Sequence, residues 1–190
     1  AFSYPTDGYS APYQWAIIVE GLLFFFLAMF MIRKILLKYF NDTVTAISLI
    51  IVGLGTNVFF FSSLGNDIPH IYVFTLYTLI IWFSIRWHED RRLIHAILLG
   101  YFLGLTMLVR PSEFVAFLIP LLWGIKDKES LRWKWQLLLK HWKHVLALAF
   151  FVFLGGLPQL VYWKIYTGEF IFNSYTNPGE GFDVLSPHIY

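Results

Sequence analysis

The sequence predicts an all-α fold, a polytopic membrane helical bundle with about six transmembrane helices plus an amphipathic helix at the inner interface. Three observations lead there. First, 58% of the 190 residues are hydrophobic and only 14% are charged, with a mean hydropathy of +0.62. A soluble domain carries roughly 25% charged residues, so this chain has too few to clothe a surface that faces water. Second, apolar runs of membrane-crossing length recur along the chain. Third, 12 of the 14 Lys and Arg residues fall in three short stretches between those runs.

The first run, 15–32, is apolar except for Glu20. Eighteen helical residues rise about 27 Å, close to the roughly 30 Å of hydrocarbon in a bilayer. Glu20 is an intramembrane acid, for which a structural hydrogen bond is the expected partner. Further runs follow at 43–63, 68–85, 93–109 and 145–163. The run that ends at Ile125 is shorter. Begun at Pro111, it reaches only about 22 Å as an α-helix, so by length it reads as a crossing or as a dip from one surface.

Charge decides between the two. Arg33, Lys34 and Lys38 follow the first run, and Arg86, Arg91 and Arg92 follow the third. Lys126, Lys128, Arg132, Lys134, Lys140 and Lys143 follow the short one. Short loops rich in Lys and Arg stay cytoplasmic, and these three share a side only if 111–125 crosses. The expectation is one integral membrane domain over 1–190, in the cell's inner membrane, with a basic interfacial segment at 126–144 and an outer aromatic loop at 164–190. Both ends are then extracytoplasmic. The chain starts at Ala1 without a basic signal-peptide region and stops in an aromatic loop, so both ends read as cuts from a longer protein.

Within 126–144, Leu131, Trp135, Leu138, Leu139 and Trp142 share one helical face, while Lys134, Lys140 and Lys143 mostly point away from it. That pattern predicts a helix in the inner interface, with Trp anchors and with lysines toward anionic headgroups. Gly155, Gly156 and Pro158 predict a kinked or thinned last span. Asn41-Asp42-Thr43 matches a glycosylation sequon but falls on the cytoplasmic side. The chain has no Cys, which excludes disulfides and thiolate chemistry. It has no phosphate-binding glycine loop, dinucleotide fingerprint or nucleophile elbow. Its basic residues flank apolar runs, so they imply membrane lipids and not nucleic acid.

Arg110 is the most informative side chain. It stands in Arg110-Pro111-Ser112-Glu113, on the side opposite the basic loops. Pro111 suits the first position of a helix, and the short run after it sets that helix start below the outer surface. An ionisable pair at that depth needs a partner or a water-filled cavity. The alternatives are a local Arg110–Glu113 pair closing a turn and a guanidinium free to bind phosphate through its planar fork. Lys164 is the second cation on that side, read either as a second phosphate contact or as an interfacial lysine among Tyr162, Trp163 and Tyr166. Gln159 adds a polar group inside the last run, and Glu113 and Tyr175 are site-supporting candidates. Asp7, Asp67 and His70 are weak catalytic candidates, each equally explained by turn or helix-start chemistry. No metal-ligand spacing is present. No cofactor is expected, and the sequence leaves a divalent metal open.

Taken in order, YPTDGYSAPYQ before the first run, His70-Ile71-Tyr72 opening the third, GLTMLVRPSE, and LPQLVYWKIYTGEFIFNSY followed by GEGFDVLSPHI extend over most of the chain. In this order they resemble the GT-C glycosyltransferases, specifically the bacterial members related to protein mannosyltransferases and lipid A aminoarabinose transferases. The resemblance implies a membrane enzyme that transfers a sugar from a polyprenyl-phosphate donor to a lipid or glycan acceptor on the extracytoplasmic face. It implies a catalytic carboxylate in a first outer loop, upstream of Ala1, so Asp7 is not promoted to that role. Arg110, with Lys164, would then bind the donor phosphate. The rival expectations are a transporter or flippase for a lipid-linked anion and a noncatalytic membrane subunit.

Overall fold

The computed structural model describes residues 8–65 and 68–171; Asp7, Asp67 and Tyr175 lie outside them. Every regular element among the described residues is helical.

Helix α1 spans Ala11–Leu36, overrunning the expected 15–32 by four residues at each end. Pro12 sits in its first turn, where no N–H is required. The expected second span divides into α2, Asp42–Gly55, and α3, Val58–Ser63. The break falls at Thr56, whose backbone is extended. Its hydroxyl donates to Val52 O at 2.6 Å and accepts from Val58 N at 3.3 Å, so one side chain serves both helix ends that the break leaves open. Helix α4 runs His70–Asp90 and α5 runs Leu93–Val109. Seven residues of 3-10 helix, Pro111–Phe117, lead into the short α6, Leu118–Leu122. Helix α7 is Lys128–Lys140 and α8 is Trp142–Thr167.

Helices α1 and α4 run side by side in the same direction. Phe24, midway along α1, packs on Tyr72 near the start of α4, with ring centroids 4.9 Å apart, and Lys38, just past α1, pairs with Glu89 at 2.6 Å near the end of α4. Helix α5 returns against α4, burying Leu99 and Leu103 beside Ile80 and Ala116. Helix α8 then follows α5 at very close range. A Cβ added at Gly100 would stand 2.3 Å from Leu148 O, and one at Gly104 would stand 2.3 Å from Val152 O. The third glycine, Gly155 of α8, faces Tyr101 O and Gly104. This is the small-xxx-small geometry that lets two backbones meet. The expected thinning of the last span therefore serves contact with α5, and α8 continues as one helix through Pro158.

The segment 111–123 runs along α4. Tyr77 Oη donates to Glu113 at 2.7 Å near its start, and its end lies at His88, where Lys134 bridges His88 to Pro120 O and Trp123 O. Eleven residues of α4 separate those two levels, about 16 Å. The 3-10 stretch makes this traverse possible, because it rises about 2.0 Å per residue against 1.5 Å in an α-helix.

Helix α7 corrects one expectation. Its N-terminus is closed by a capping box, with Asp127 Oδ1 accepting from Ser130 N at 2.8 Å and Ser130 Oγ accepting from Asp127 N at 2.9 Å. Lys134, expected to face headgroups, is buried at 3% exposure. It and Leu137 form the protein-facing side, Leu137 packing with Trp87 and Ala96. The apolar face read from the sequence turns outward instead: Leu131, Trp135, Leu139 and Trp142 are all exposed, and Leu138 is half-buried.

Among the described residues two helices, α1 and α8, are long and apolar enough to cross a membrane by length and composition. Large apolar side chains stand exposed along both, among them Leu23, Phe26 and Phe30 on α1 and Leu146, Phe150 and Phe153 on α8.

Candidate functional site

The end of the bundle away from the basic loops is built around the junction of α5 with the 3-10 helix. Pro111 cannot continue α5, and a residue before proline is held out of the helical region. Arg110 is accordingly extended, at φ −148° and ψ 116°. Its backbone is satisfied on both sides, its N–H donating to Thr106 O and its carbonyl accepting from Glu113 N, each at 3.0 Å. Its half-buried side chain has no hydrogen-bond or ion-pair partner among the described residues. The local Arg110–Glu113 pair does not form, because Glu113 takes the phenol of Tyr77 instead.

Beside this junction lies a groove of about 450 Å³ between the end of α5 and the second half of α8. Met107, Pro111, Val152, Phe153, Leu160 and Trp163 supply apolar wall, and Gly156 leaves its floor without a side chain. Gln159 is the polar group set in it. From Ala149 to Trp163 the groove follows α8 for about 21 Å. An apolar channel of that length, with an unpaired guanidinium at the residue beside Pro111, has the chemistry to take a long hydrocarbon tail carrying an anionic head.

The other sequence candidates divide. Gln159 belongs to the groove. Glu113 supports the junction through Tyr77. Lys164 turns to its own helix end, donating to Gly168 O at 2.6 Å and lying 5.0 Å over the Phe170 ring. His70 opens α4 and packs on Phe61, ring centroids 4.5 Å apart, beside the break at Thr56 and Asn57. Glu20 is exposed on α1 and has no hydrogen bond or ion pair among the described residues, contrary to its expected structural bond. No group of three or more His, Asp or Glu among the described residues is placed to hold a metal ion.

A second polar centre, which no sequence pattern announced, stands at the basic end. The Lys134 ammonium has three N–H groups and meets three acceptors: His88 Nε2, Pro120 O at 2.8 Å and Trp123 O at 3.3 Å. The two carbonyls belong to the end of α6, where orphan acceptors collect. His88 Nδ1–H donates to Ser84 O at 2.6 Å, which leaves Nε2 to accept. Burial pushes the His88 imidazole down to about 4, helped by the charges of Lys134 and Arg91 and opposed by Ser84 O. Burial also lowers Lys134, to about 8. Next to this centre Trp87 Nε1 donates to His144 Nδ1 at 3.2 Å. The only local signal was a lysine four residues after Ser130 inside an otherwise apolar-spaced helix, which equally describes a solvated face.

No protein-family model matches the chain, and no curated protein or solved structure is significantly similar to it.

Proposed function

We propose that this chain is the membrane-embedded module of a GT-C-type glycosyltransferase that uses a polyprenyl-phosphate-linked sugar. The observation that carries the reading is Arg110, without a side-chain partner among the described residues, next in the chain to Pro111 of a long apolar groove. The groove would hold the prenyl chain and Arg110 the phosphate. As the acceptor hydroxyl attacks the anomeric carbon, charge builds on the departing lipid phosphate, and a preorganised fork donor stabilises it there. Gln159 would orient the donor. The base that takes the acceptor's proton would come from a segment outside residues 1–190, and lipid or glycan would be the acceptor.

The same reading takes the chain as six-spanning in the cell membrane with both ends extracytoplasmic. Supporting it, the three basic stretches meet at one end of the helices: Lys38 holds Glu89, Lys134 holds His88, and Arg91 lies 6.0 Å over the Trp133 ring. The traverse of 111–123 and the exposed apolar surface of α8 support it too.

Donor turnover by the full-length enzyme tests the reading. Arg110→Lys keeps the charge and loses the fork, and Arg110→Ala loses both. Activity is expected to fall in the order wild type, Lys, Ala. The Ala variant should lose about 2–4 kcal/mol of transition-state stabilisation, with the loss in kcat as well as KM. Normal turnover per folded molecule in Arg110→Ala would remove the phosphate assignment and leave Arg110 a structural residue.

A further inference from the structure

At the basic end, the cations are sorted. Arg86 and Arg92 hold Asp90, at 3.2 and 3.6 Å, and Lys38 holds Glu89. Asp90 also takes His95 at 2.7 Å, so the nearby acids are spoken for. Lys134 is held inside. Several other cations of this end have no ion-pair partner among the described residues, Arg91 and Lys140 among them. The two line one cleft of about 290 Å³, together with Trp133, Gln136, Leu137 and His141.

Arg91 is held there by unusual means. It closes α4 in the left-handed region, at φ 51°, where it is the one non-glycine residue among those described. Its guanidinium lies over Trp133, and its Nε is buried without a partner. A buried N–H left unmet is costly, and a fork donor aimed with an ammonium and a carboxamide into one cleft asks for an anion with several oxygens. The outward face of α7, with Leu131, Trp135 and Leu139, and Trp142 at the start of α8 offer exposed apolar surface. Phosphate oxygens in the cleft and hydrocarbon on that apolar surface together describe one ligand class.

We infer that the cleft between Arg91 and Lys140 binds the phosphodiester headgroup of an anionic glycerophospholipid at the inner membrane surface. This rests on reading α7 as a helix at that surface, and it does not depend on the transfer reaction at the other end. The site is separate from the Arg110 groove and anchors α7 to the bilayer.

Native mass spectrometry of the full-length protein tests it, counting retained phosphatidylglycerol against phosphatidylcholine. Arg91→Gly suits the left-handed backbone, so it removes the guanidinium while leaving the helix end intact. Arg91→Gly and Lys140→Gln are each expected to lower phosphatidylglycerol retention about fivefold, a typical contribution of one basic residue near anionic lipid. Arg91→Lys is expected to fall nearly as far as Arg91→Gly, because Lys cannot reach as a fork. Lys128→Gln, at an exposed lysine outside the cleft, is expected to leave retention unchanged. Equal losses for Lys128→Gln and Arg91→Gly would mean diffuse surface charge and would overturn the proposal. Displacement of the lipid by millimolar-range inorganic phosphate would overturn the lipid source in favour of a soluble phosphate.

Discussion

The cations that hold protein groups at the basic end and Arg110 at the other end treat charge in opposite ways. At the basic end Lys38, Arg86, Arg92 and Lys134 all hold protein acceptors, and these contacts join α1, α4, α6 and α7. At the other end Arg110 holds no side-chain acceptor among the described residues, Lys164 folds back on its own helix, and the wall beside Pro111 is an apolar groove. The difference separates two uses of a cation in one chain. Where it is spent on carbonyls and carboxylates, it fixes how helices meet. Where it is left unmet beside apolar surface, it is available to a ligand.

The sharpest way to break the comparison is to remove the central cation of the paired end. Lys134→Met keeps the bulk but leaves His88, Pro120 O and Trp123 O without their donor. The expected loss is about 3–4 kcal/mol, since each buried acceptor left unmet costs on the order of 1–3 kcal/mol. Thermal unfolding of the purified protein reads it, and a melting curve like that of wild type would make the lysine idle. Next in size is the α5–α8 contact, which carries the groove. Gly100→Ala puts a methyl against Leu148 O and should cost about 1–3 kcal/mol in the same assay. Gly156→Ala, whose methyl meets nothing nearer than 4.0 Å, should be near neutral. Equal effects of the two would mean that the close approach is not what matters.

A smaller effect belongs to pH. His88 is held at about 4, below the ordinary 6.5, so between those values the unfolded chain binds more protons than the folded one. Stability is therefore expected to be full above about pH 6.5 and to decline as pH falls toward 4. Protonation also takes away the acceptor that Nε2 offers Lys134. His88→Gln keeps an acceptor without a proton to gain, and should flatten the profile across that window. An unchanged slope in His88→Gln would assign the pH response elsewhere. The smallest change is expected from Tyr77→Phe, which removes one donor from Glu113 and should cost about 1 kcal/mol. It tests whether the open end needs that bond to keep its junction. If the Arg110 side chain stays unpaired and turnover is unaffected, Glu113 needs no holding.

What the sequence made legible follows from how local each determinant is. Helix α5 has the limits read from the sequence, 93–109, because Arg92 and Arg110-Pro111 write both ends into adjacent residues. The break at Thr56 was also written locally, in Gly55, Thr56 and Asn57, but the apolar run around it outweighed those residues. Gly100 and Gly104 stand four apart in plain view, yet what makes them matter is the carbonyls of Leu148 and Val152, far along the chain. Lys134 was the least legible of all. Its acceptors lie 11 and 14 residues before it and, in His88, 46 residues before it, and no periodicity reports a carbonyl at a distant helix end. At the open end, the spacing that singled out Arg110 was itself local. The groove beside it depended on how α5 and α8 approach, which the sequence pattern does not carry.

The 3-10 stretch after Arg110 has a mechanical consequence. Seven residues in that form are longer than such runs usually are, and rewinding them as α-helix would shorten the segment by about 3.5 Å. The far end cannot follow, because Lys134 pins Pro120 and Trp123 in place. All of the displacement would fall at the proline end, drawing the guanidinium along the axis of the bundle. The segment is thus a stretched link, clamped at one end by Lys134 and tied beside Arg110 by the single Tyr77–Glu113 bond. Spin labels at Ser112 and Ile125 would read its length with and without a lipid-phosphate ligand; an unchanged distance would mean a rigid strut.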